Sequence, residues 1–276
     1  MFKKKSKSMQ LVFNQEGEGW PILCLHGHPG SADCMKVFTD ELSQDFWTIA
    51  PDLRGYARSK TRSPFAMEDH LTDLEALLDQ LNIQDCFILG WSLGGILALE
   101  LALHYPERIK GLSLVATAAN PVSDLPQPSK QERVNTLIAG GLNWLKPGWV
   151  WNINTFGRRS ILKYLFSQHS LDAYRFLAQA GGPATLKTSR YAQNALITAL
   201  GQRYDRLSDL DQIQSPCLVL SGAEDRHIIS KASYETAQNL RDSRWICYPN
   251  VSHLFPWEIP DQMNRDIQAW LQDHRP

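Results

Sequence analysis

The residues with the clearest chemical potential are a serine and the small residues around it. Residues 90–94 read Gly-Trp-Ser-Leu-Gly, a spacing in which glycines let the backbone turn sharply between a strand and a helix and expose the serine. The apolar run at 87–89 predicts a buried strand, and the run at 96–102 a buried helix. A serine that only caps a helix would explain Ser92 but not the glycines. Ser92 is therefore the predicted nucleophile.

A serine hydroxyl needs a base to take its proton, and the base needs a partner that orients it. His253 follows the last predicted strand, and an imidazole can accept and return a proton near neutral pH. Glu224 and Asp225 together end the preceding strand. We favour Asp225, because its shorter side chain holds an imidazole more rigidly, and we expect Glu224 to be solvated. The predicted catalytic residues are Ser92, Asp225 and His253.

Negative charge that develops on a substrate oxygen requires backbone N–H groups aimed at it. Leu93, directly after the nucleophile, supplies one amide. The second is expected from His28, in the glycine-containing turn at 26–30 that follows the second predicted strand. His26 is expected to hold this turn by a hydrogen bond rather than to react. We also expect the side chains of His28 and Trp91 to border the substrate pocket.

Strand-like and helix-like segments alternate over most of the chain. Strands are predicted at 9–13, 21–25, 47–51, 87–89, 112–116, 217–220 and 245–248. Helices are predicted at 37–44, 67–81, 96–102, 233–240 and 260–271. This alternation predicts an α/β fold with a mostly parallel sheet flanked by helices, in which reactive residues collect beyond the carboxyl ends of the strands.

The middle of the chain interrupts the alternation. Residues 120–209 contain helix-like pieces separated by proline and glycine, with no convincing strand. We predict a helical cap here, inserted into a core domain formed by 9–119 and 210–276, and a disordered basic tail at 1–8. Most aromatic side chains of the insertion are expected to fill its own small core, and some to line an apolar pocket.

Composition narrows the function classes. The 276 residues are 43% hydrophobic, enough for a large core, and the net charge of −1 gives no electrostatic case for a nucleic acid or an anionic membrane. No stretch reaches the roughly 18 apolar residues that a membrane span needs. Five cysteines, an odd number without zinc-site spacing, argue against a disulfide framework and a metal site. These features predict a cytoplasmic, metal-free protein whose partner is a small molecule rather than a nucleic acid.

Several motifs together resemble the α/β-hydrolase superfamily. They are His-Gly-His-Pro-Gly at 26–30, Asp-Leu-Arg-Gly-Tyr at 52–56, the elbow at 90–95, Gly-Ala-Glu-Asp at 222–225 and the segment 253–258. The elbow and the helix end at 104–108 are similar to those of pimeloyl-carrier-protein methyl esterases and related carboxylesterases. The chain departs from the usual pattern in its loops, at Ala57, at 228–229 and at Ser252. The resemblance implies an α/β-hydrolase fold and an acyl-enzyme mechanism without a cofactor.

The resemblance also ranks the reactions. Haloalkane dehalogenases and epoxide hydrolases of this fold carry aspartate at the elbow, where this chain has Ser92. Hydrolysis of a carboxylic ester with an apolar acyl or alcohol part is therefore the leading hypothesis. The same three residues would serve thioester cleavage, carbon–carbon bond hydrolysis or a menaquinone-pathway type of lyase. A binding protein that keeps the fold without turnover is a further alternative.

Overall fold

A computed structural model describes residues 8–275, so that all of the predicted basic tail except Ser8 lies outside the described residues. Seven strands form one sheet: β1 (Phe13–Glu16), β2 (Trp20–Leu25), β3 (Phe46–Pro51), β4 (Cys86–Trp91), β5 (Ile109–Val115), β6 (Cys217–Gly222) and β7 (Ser243–Tyr248). Their order in space is β1-β3-β2-β4-β5-β6-β7, and β1 pairs antiparallel with β3 whereas the other pairs are parallel. The predicted mostly parallel sheet is confirmed.

Helices cover both faces of the sheet. They are α1 (Lys36–Leu42), α2 (Asp69–Gln80), α3 (Leu93–His104), α9 (Ser230–Asn239), the short α10 (Phe255–Glu258) and α11 (Pro260–Asp273). Successive side chains of β2 alternate between two apolar clusters. Leu23 and Leu25 join α2 and α3 on one face, whereas Ile22 and Cys24 join α1 and α11 on the other. Because both faces are covered, β4 is buried along its whole length.

Some predicted boundaries are wrong at the polar ends of strands. The first strand begins at Phe13 rather than at residue 9, because the amides of Met9 and Val12 bond the side chains of Asp73 and Ser59 instead of a neighbouring strand. Strands β5 and β7 begin earlier than the predicted 112 and 245. The first residues of both strands include charged or exposed side chains, which a search for apolar runs does not detect.

The chain between β5 and β6 is helical, as expected, and contains no strand among the described residues. Its helices are α4 (Lys130–Leu145), α5 (Val150–Thr155), α6 (Leu171–Phe176), α7 (Gly182–Lys187) and α8 (Arg190–Gly201). Two 3₁₀ segments (Gly157–Arg159 and Ile161–Leu165) lie between α5 and α6, and a π-helical segment (Leu177–Gly181) joins α6 to α7. We call residues 120–209 the helical insertion. Its longest helix, α4, begins at a capping box in which the Ser129 hydroxyl accepts from the amide of Glu132 and the Glu132 carboxylate accepts from the amide of Ser129.

Candidate active site

Ser92 is the single residue between β4 and α3, and its backbone is strained. Its φ of +54° and ψ of −115° lie in a region that residues with a side chain rarely occupy. Two hydrogen bonds hold this conformation: the Ser92 amide donates to the carbonyl of Val115 at 2.9 Å, and the Thr117 hydroxyl donates to the carbonyl of Ser92 at 2.8 Å. The serine is thereby fixed at the carboxyl end of a central strand.

Two glycines of the elbow are required by close packing. A Cβ atom on Gly94 would overlap the carbonyl oxygen of Leu25 in β2, and one on Gly95 would overlap the side chain of Thr117. Backbone of β2 is rigid because it lies inside the sheet, so it has no room to move away. The first turn of α3 therefore approaches the sheet more closely than any residue with a side chain would allow.

The structure brings the three predicted catalytic residues into one hydrogen-bonded row. His253 lies in the turn after β7, with Nε2 3.2 Å from the Ser92 hydroxyl and Nδ1 2.8 Å from Asp225 Oδ2. All three residues are buried, whereas the neighbouring Glu224 is exposed. Of the two adjacent carboxylates, the one that was favoured from its length is the one that reaches the imidazole.

Asp225 is oriented by its own loop. Its Oδ1 accepts hydrogen bonds from the amides of His227 at 2.8 Å and Ile228 at 2.9 Å. These bonds use one carboxylate oxygen and leave Oδ2 directed at His253. Asp225 is therefore placed to hold a single imidazole orientation.

Glu258 is a positioning residue whose role the sequence did not reveal. Its Oε2 accepts from the amide of Ser252 at 2.8 Å, and its Oε1 accepts from the amides of Ser167 at 2.7 Å and Gln168 at 2.6 Å. The carboxylate is buried, and these three amides satisfy it. It joins the turn that carries His253 to the helical insertion. Its place at the end of the motif 253–258 was the available signal.

His227 is a second histidine at the site and was missed from the sequence. Its ring centroid lies 4.5 Å from that of His253, with 63° between the ring planes. Repulsion from a protonated His253 and burial lower the pKa of His227 to about 4, so this imidazole is neutral at neutral pH. Its position two residues after Asp225 is the signal that could have found it.

The histidines of the turn at 26–30 differ in role. His26 is fully buried; its Nδ1 lies 2.8 Å from the carbonyl of Gly27, and its Nε2 accepts from the amide of Leu53 at 3.1 Å. Burial lowers the pKa of His26 to about 4, which suits this neutral bridging role. His28 points its Nδ1 at the Tyr56 hydroxyl, 2.9 Å away, and burial lowers its pKa as well.

Two cavities meet at Ser92. The larger, of about 690 Å³, is lined by Leu196, Leu200 and Arg203 of the helical insertion and by Leu93 and Ile96 of α3. The smaller, of about 180 Å³, lies beside His253, and its other walls are Trp91, Trp257, Leu162, Leu165 and Leu177. His28 and His227 line both cavities. The described residues contain no group of three or more His, Cys, Asp or Glu side chains arranged to hold a metal ion.

The large apolar side chains that the insertion contributes to these cavities are mainly leucines, which corrects the expected aromatic lining. Its aromatic residue at the larger cavity is Tyr204. Other aromatic residues of the insertion pack against one another, as do Phe166 and Tyr174 with ring centroids 4.8 Å apart. Apolar character was therefore predicted correctly, but the residue type was not.

Comparisons with known proteins agree with this architecture. Residues 21–260 match the family described as alpha/beta hydrolase fold. Human epoxide hydrolase 4 is 23% identical over 98% of this chain and 77% of its own length. The pimeloyl-[acyl-carrier protein] methyl ester esterase of Chromobacterium violaceum is 27% identical over 89% of this chain and 91% of that protein. A solved thermophilic esterase from Thermogutta terrifontis has a TM-score of 0.73 and 24% identity, covering 96% of this chain and 94% of that one. The chain therefore belongs to the α/β-hydrolase family.

Proposed function

We propose that this protein is a serine hydrolase that cleaves carboxylic esters of apolar substrates through an acyl-enzyme. The observation that carries the proposal is the row from Ser92 Oγ to His253 Nε2 at 3.2 Å and from His253 Nδ1 to Asp225 Oδ2 at 2.8 Å. A nucleophile, a base and an orienting acid within hydrogen-bond reach of one another form the arrangement that acyl transfer requires.

Acylation follows from these contacts. Ser92 Oγ attacks the ester carbonyl while its proton passes to His253 Nε2, and Asp225 stabilises the imidazolium through the Nδ1–H bond. The carbon–oxygen bond to the alcohol then breaks, and His253 gives its proton to the departing oxygen. Water attacks the acyl-enzyme with His253 again acting as base, which releases the acid and restores Ser92.

The amides of Leu93 and His28 are the proposed oxyanion donors. Leu93 is the first residue of α3, so its N–H has no carbonyl acceptor one turn earlier in the helix and lies at the positive end of the helix dipole. The turn that carries His28 packs against the nucleophile, since a Cβ on Gly27 would lie 3.2 Å from Cβ of Ser92. Donors from both sides of Ser92 would stabilise the tetrahedral intermediate.

The two cavities support a division of the substrate. His253 lines the smaller cavity and must reach the leaving oxygen, so we assign the alcohol part to the space beside Trp91 and Trp257. The acyl part would then occupy the larger cavity, under the helical insertion, which we propose acts as a cap. Leucine and isoleucine side chains in the larger cavity, and leucine and tryptophan side chains in the smaller one, fit apolar groups.

Two further parts of the proposal concern reactivity and surroundings. A serine at the elbow forms an acyl ester rather than the alkyl ester that a carboxylate nucleophile gives with an epoxide or a haloalkane. The described cysteines are free thiols, four of them buried, which suits a reducing compartment such as the cytoplasm.

Fluorophosphonate labelling tests the proposal, because the probe reacts covalently with an activated serine. Wild-type protein should be labelled, and Ser92→Ala should not. Ser123→Ala, which removes another hydroxyl from the larger cavity, is the matched control and should label like the wild type. Hydrolysis of p-nitrophenyl esters of graded acyl length should follow the same pattern. Labelling of Ser92→Ala, or labelling of the wild type without ester turnover, would contradict an esterase.

A further inference from the structure

Helix α4 of the insertion has an inverted polarity: its apolar side chains face outward. Leu137 is 76% exposed, and Trp144 and Leu145 are each 71% exposed. With Val134 and Ile138 they recur at the spacing of one helix face, over three turns. We call these five residues the α4 stripe. In most surface helices such a face is turned toward the core.

The inward face of α4 is polar and bonded, so the orientation of the stripe is fixed. Asn135 Nδ2 donates to the carbonyl of Arg159 at 3.0 Å, and Asn143 Nδ2 donates to the carbonyl of Ala178 at 2.7 Å. The Thr136 hydroxyl accepts from the amide of Ile161 at 3.1 Å. Rotating the helix to bury the stripe would break these bonds and leave polar groups without partners.

Two helices that pack against α4 also carry exposed apolar side chains. Trp151 of α5 is 52% exposed and Leu186 of α7 is 69% exposed, and both helices pack against α4. Several large apolar side chains exposed on neighbouring helices are more than the scattered single residues of an ordinary protein surface, and such groups mark interaction sites.

The net charge of the insertion indicates that a partner of the α4 stripe carries negative charge. Residues 120–209 contain eleven lysines and arginines against five acidic residues, a net charge of +6 in a chain whose total is −1. The whole-chain value, which gave no case for an anionic membrane, conceals this asymmetry. Lys130 and Arg133 lie exposed at the start of the α4 stripe, and Lys146 lies exposed directly after its end.

An anionic lipid surface fits both properties. It offers negative headgroups to the lysines and arginines and an apolar layer beneath them to leucine and tryptophan, which is an interfacial residue. A second copy of this chain would place two strongly cationic faces against each other. No helix within residues 8–275 has the length and apolar composition of a membrane span, so the contact would be peripheral. We propose that the α4 stripe docks onto an anionic bilayer, with α4 lying in the membrane plane.

Vesicle sedimentation tests the docking. The protein to use is Ser92→Ala, because binding by this variant does not depend on the proposed hydrolysis and the lipid is not consumed. Vesicles with about 30% phosphatidylglycerol in phosphatidylcholine should bind roughly tenfold or more tightly than phosphatidylcholine alone. Raising the NaCl concentration to about 0.5 M should weaken this binding severalfold, since exposed charges are screened.

Apolar variants test insertion of the stripe. The double variant Leu137→Ser with Trp144→Ser should lower vesicle binding roughly tenfold or more, while circular dichroism stays unchanged because both side chains are exposed. Tyr234→Ser, which removes an exposed aromatic residue from α9 of the core domain, is the matched control and should bind like the parent. Brominated acyl chains should quench tryptophan fluorescence in the parent and less in Trp144→Phe.

Charge variants test the basic rim. Arg133→Glu with Lys146→Glu should abolish the preference for phosphatidylglycerol. Lys36→Glu with Arg265→Glu makes the same change in net charge on α1 and α11 and should leave the preference intact.

Three results would overturn the proposal. One is equal binding to neutral and anionic vesicles. Another is a loss of the preference for phosphatidylglycerol in the Lys36/Arg265 control that equals the loss in the Arg133/Lys146 variant. The third is a dimer, or binding to an acidic protein without vesicle binding, that the Leu137/Trp144 variant abolishes, because it would assign the stripe to a protein partner.

Discussion

The helix that begins directly after Ser92 and the longest helix of the insertion are held in place by different kinds of contact. Ten of the twelve residues of α3 are buried, whereas α4, with sixteen residues, has one, Ala139. Packing on every side fixes α3, and through it the elbow. A capping box and side-chain bonds to loops fix α4 instead. Substitutions that change side-chain volume should therefore destabilise the protein more around Ser92 than in α4.

The largest expected effect is on catalysis, at Asp225. In Asp225→Asn, the side-chain oxygen keeps the bonds from the amides of His227 and Ile228, so the NH₂ group faces His253 Nδ1. Nδ1 must then accept, Nε2 carries the proton, and the imidazole cannot take the proton of Ser92. We expect kcat for an ester to fall by about 10⁴-fold with the fold intact. Steady-state kinetics measures kcat, and circular dichroism checks that the fold is intact.

Glu224→Gln is the control for this prediction. It makes the same chemical change one residue earlier, on a side chain that is exposed. Its kcat should stay within about twofold of the wild type, because surface substitutions away from the site have small effects. Equal losses in both variants would show that negative charge near the loop, rather than the orientation of His253, is what matters.

The second-largest expected effect is on stability. The same substitution, glycine to alanine, can be made in α3 and in α4, and its effects there can be compared. Gly94→Ala would place a methyl group on the carbonyl oxygen of Leu25, inside the sheet, where neither backbone can yield. We expect a loss of about 3 kcal/mol or more in the free energy of unfolding, as for severe overpacking, or no folded protein. Chemical denaturation measures it. A variant as stable as the wild type would refute the claim that the elbow is packed to its limit.

The sequence was most informative where function depends on a local backbone shape. The elbow, the carboxylate after β6 and the histidine after β7 could be predicted because each is a short motif at a strand end. The contacts of Glu258 and His227 could not, because they join segments far apart in sequence or depend on ring orientation. The α4 stripe shows a third limit: periodicity reveals that a helix has an apolar face, but not whether that face meets the core or solvent.

Acid should expose a smaller difference between the regions. His70 of α2 is buried against Tyr56 and Phe65, neither ring nitrogen has a partner among the described residues, and burial is the main cause that lowers its pKa to about 3. The unfolded chain therefore binds a proton below pH 6.5 that the folded chain does not, so stability falls as pH drops from about 6.5. The loss is about 1.4 kcal/mol per pH unit, or about 2 kcal/mol at pH 5.

Replacing this histidine should remove its own contribution to the slope and leave those of His26 and His227, whose pKa values are also lowered, to about 4. His70→Leu should lose less stability between pH 8 and pH 5 than the wild type, as measured by denaturation at each pH. His169 of the insertion is largely exposed, and the partial burial of its ring lowers its pKa. Its backbone φ of +51° favours asparagine as the replacement, so His169→Asn is the matched variant. A larger change of slope in His169→Asn would place the acid-sensitive group in the insertion.

The smallest expected effect is a gain, and it lies in α4. Gly140 is exposed in the middle of this helix, and a Cβ built on it meets no atom within 4 Å. Gly140→Ala therefore adds helix propensity and removes freedom from the unfolded chain without a clash, which should raise the free energy of unfolding by about 0.5–1 kcal/mol. Chemical denaturation of Gly140→Ala and Gly94→Ala, measured side by side, should show that the same substitution stabilises the protein in α4 and destabilises it in α3. A destabilised Gly140→Ala would mean that α4 is packed as tightly as α3, against the exposure of its stripe.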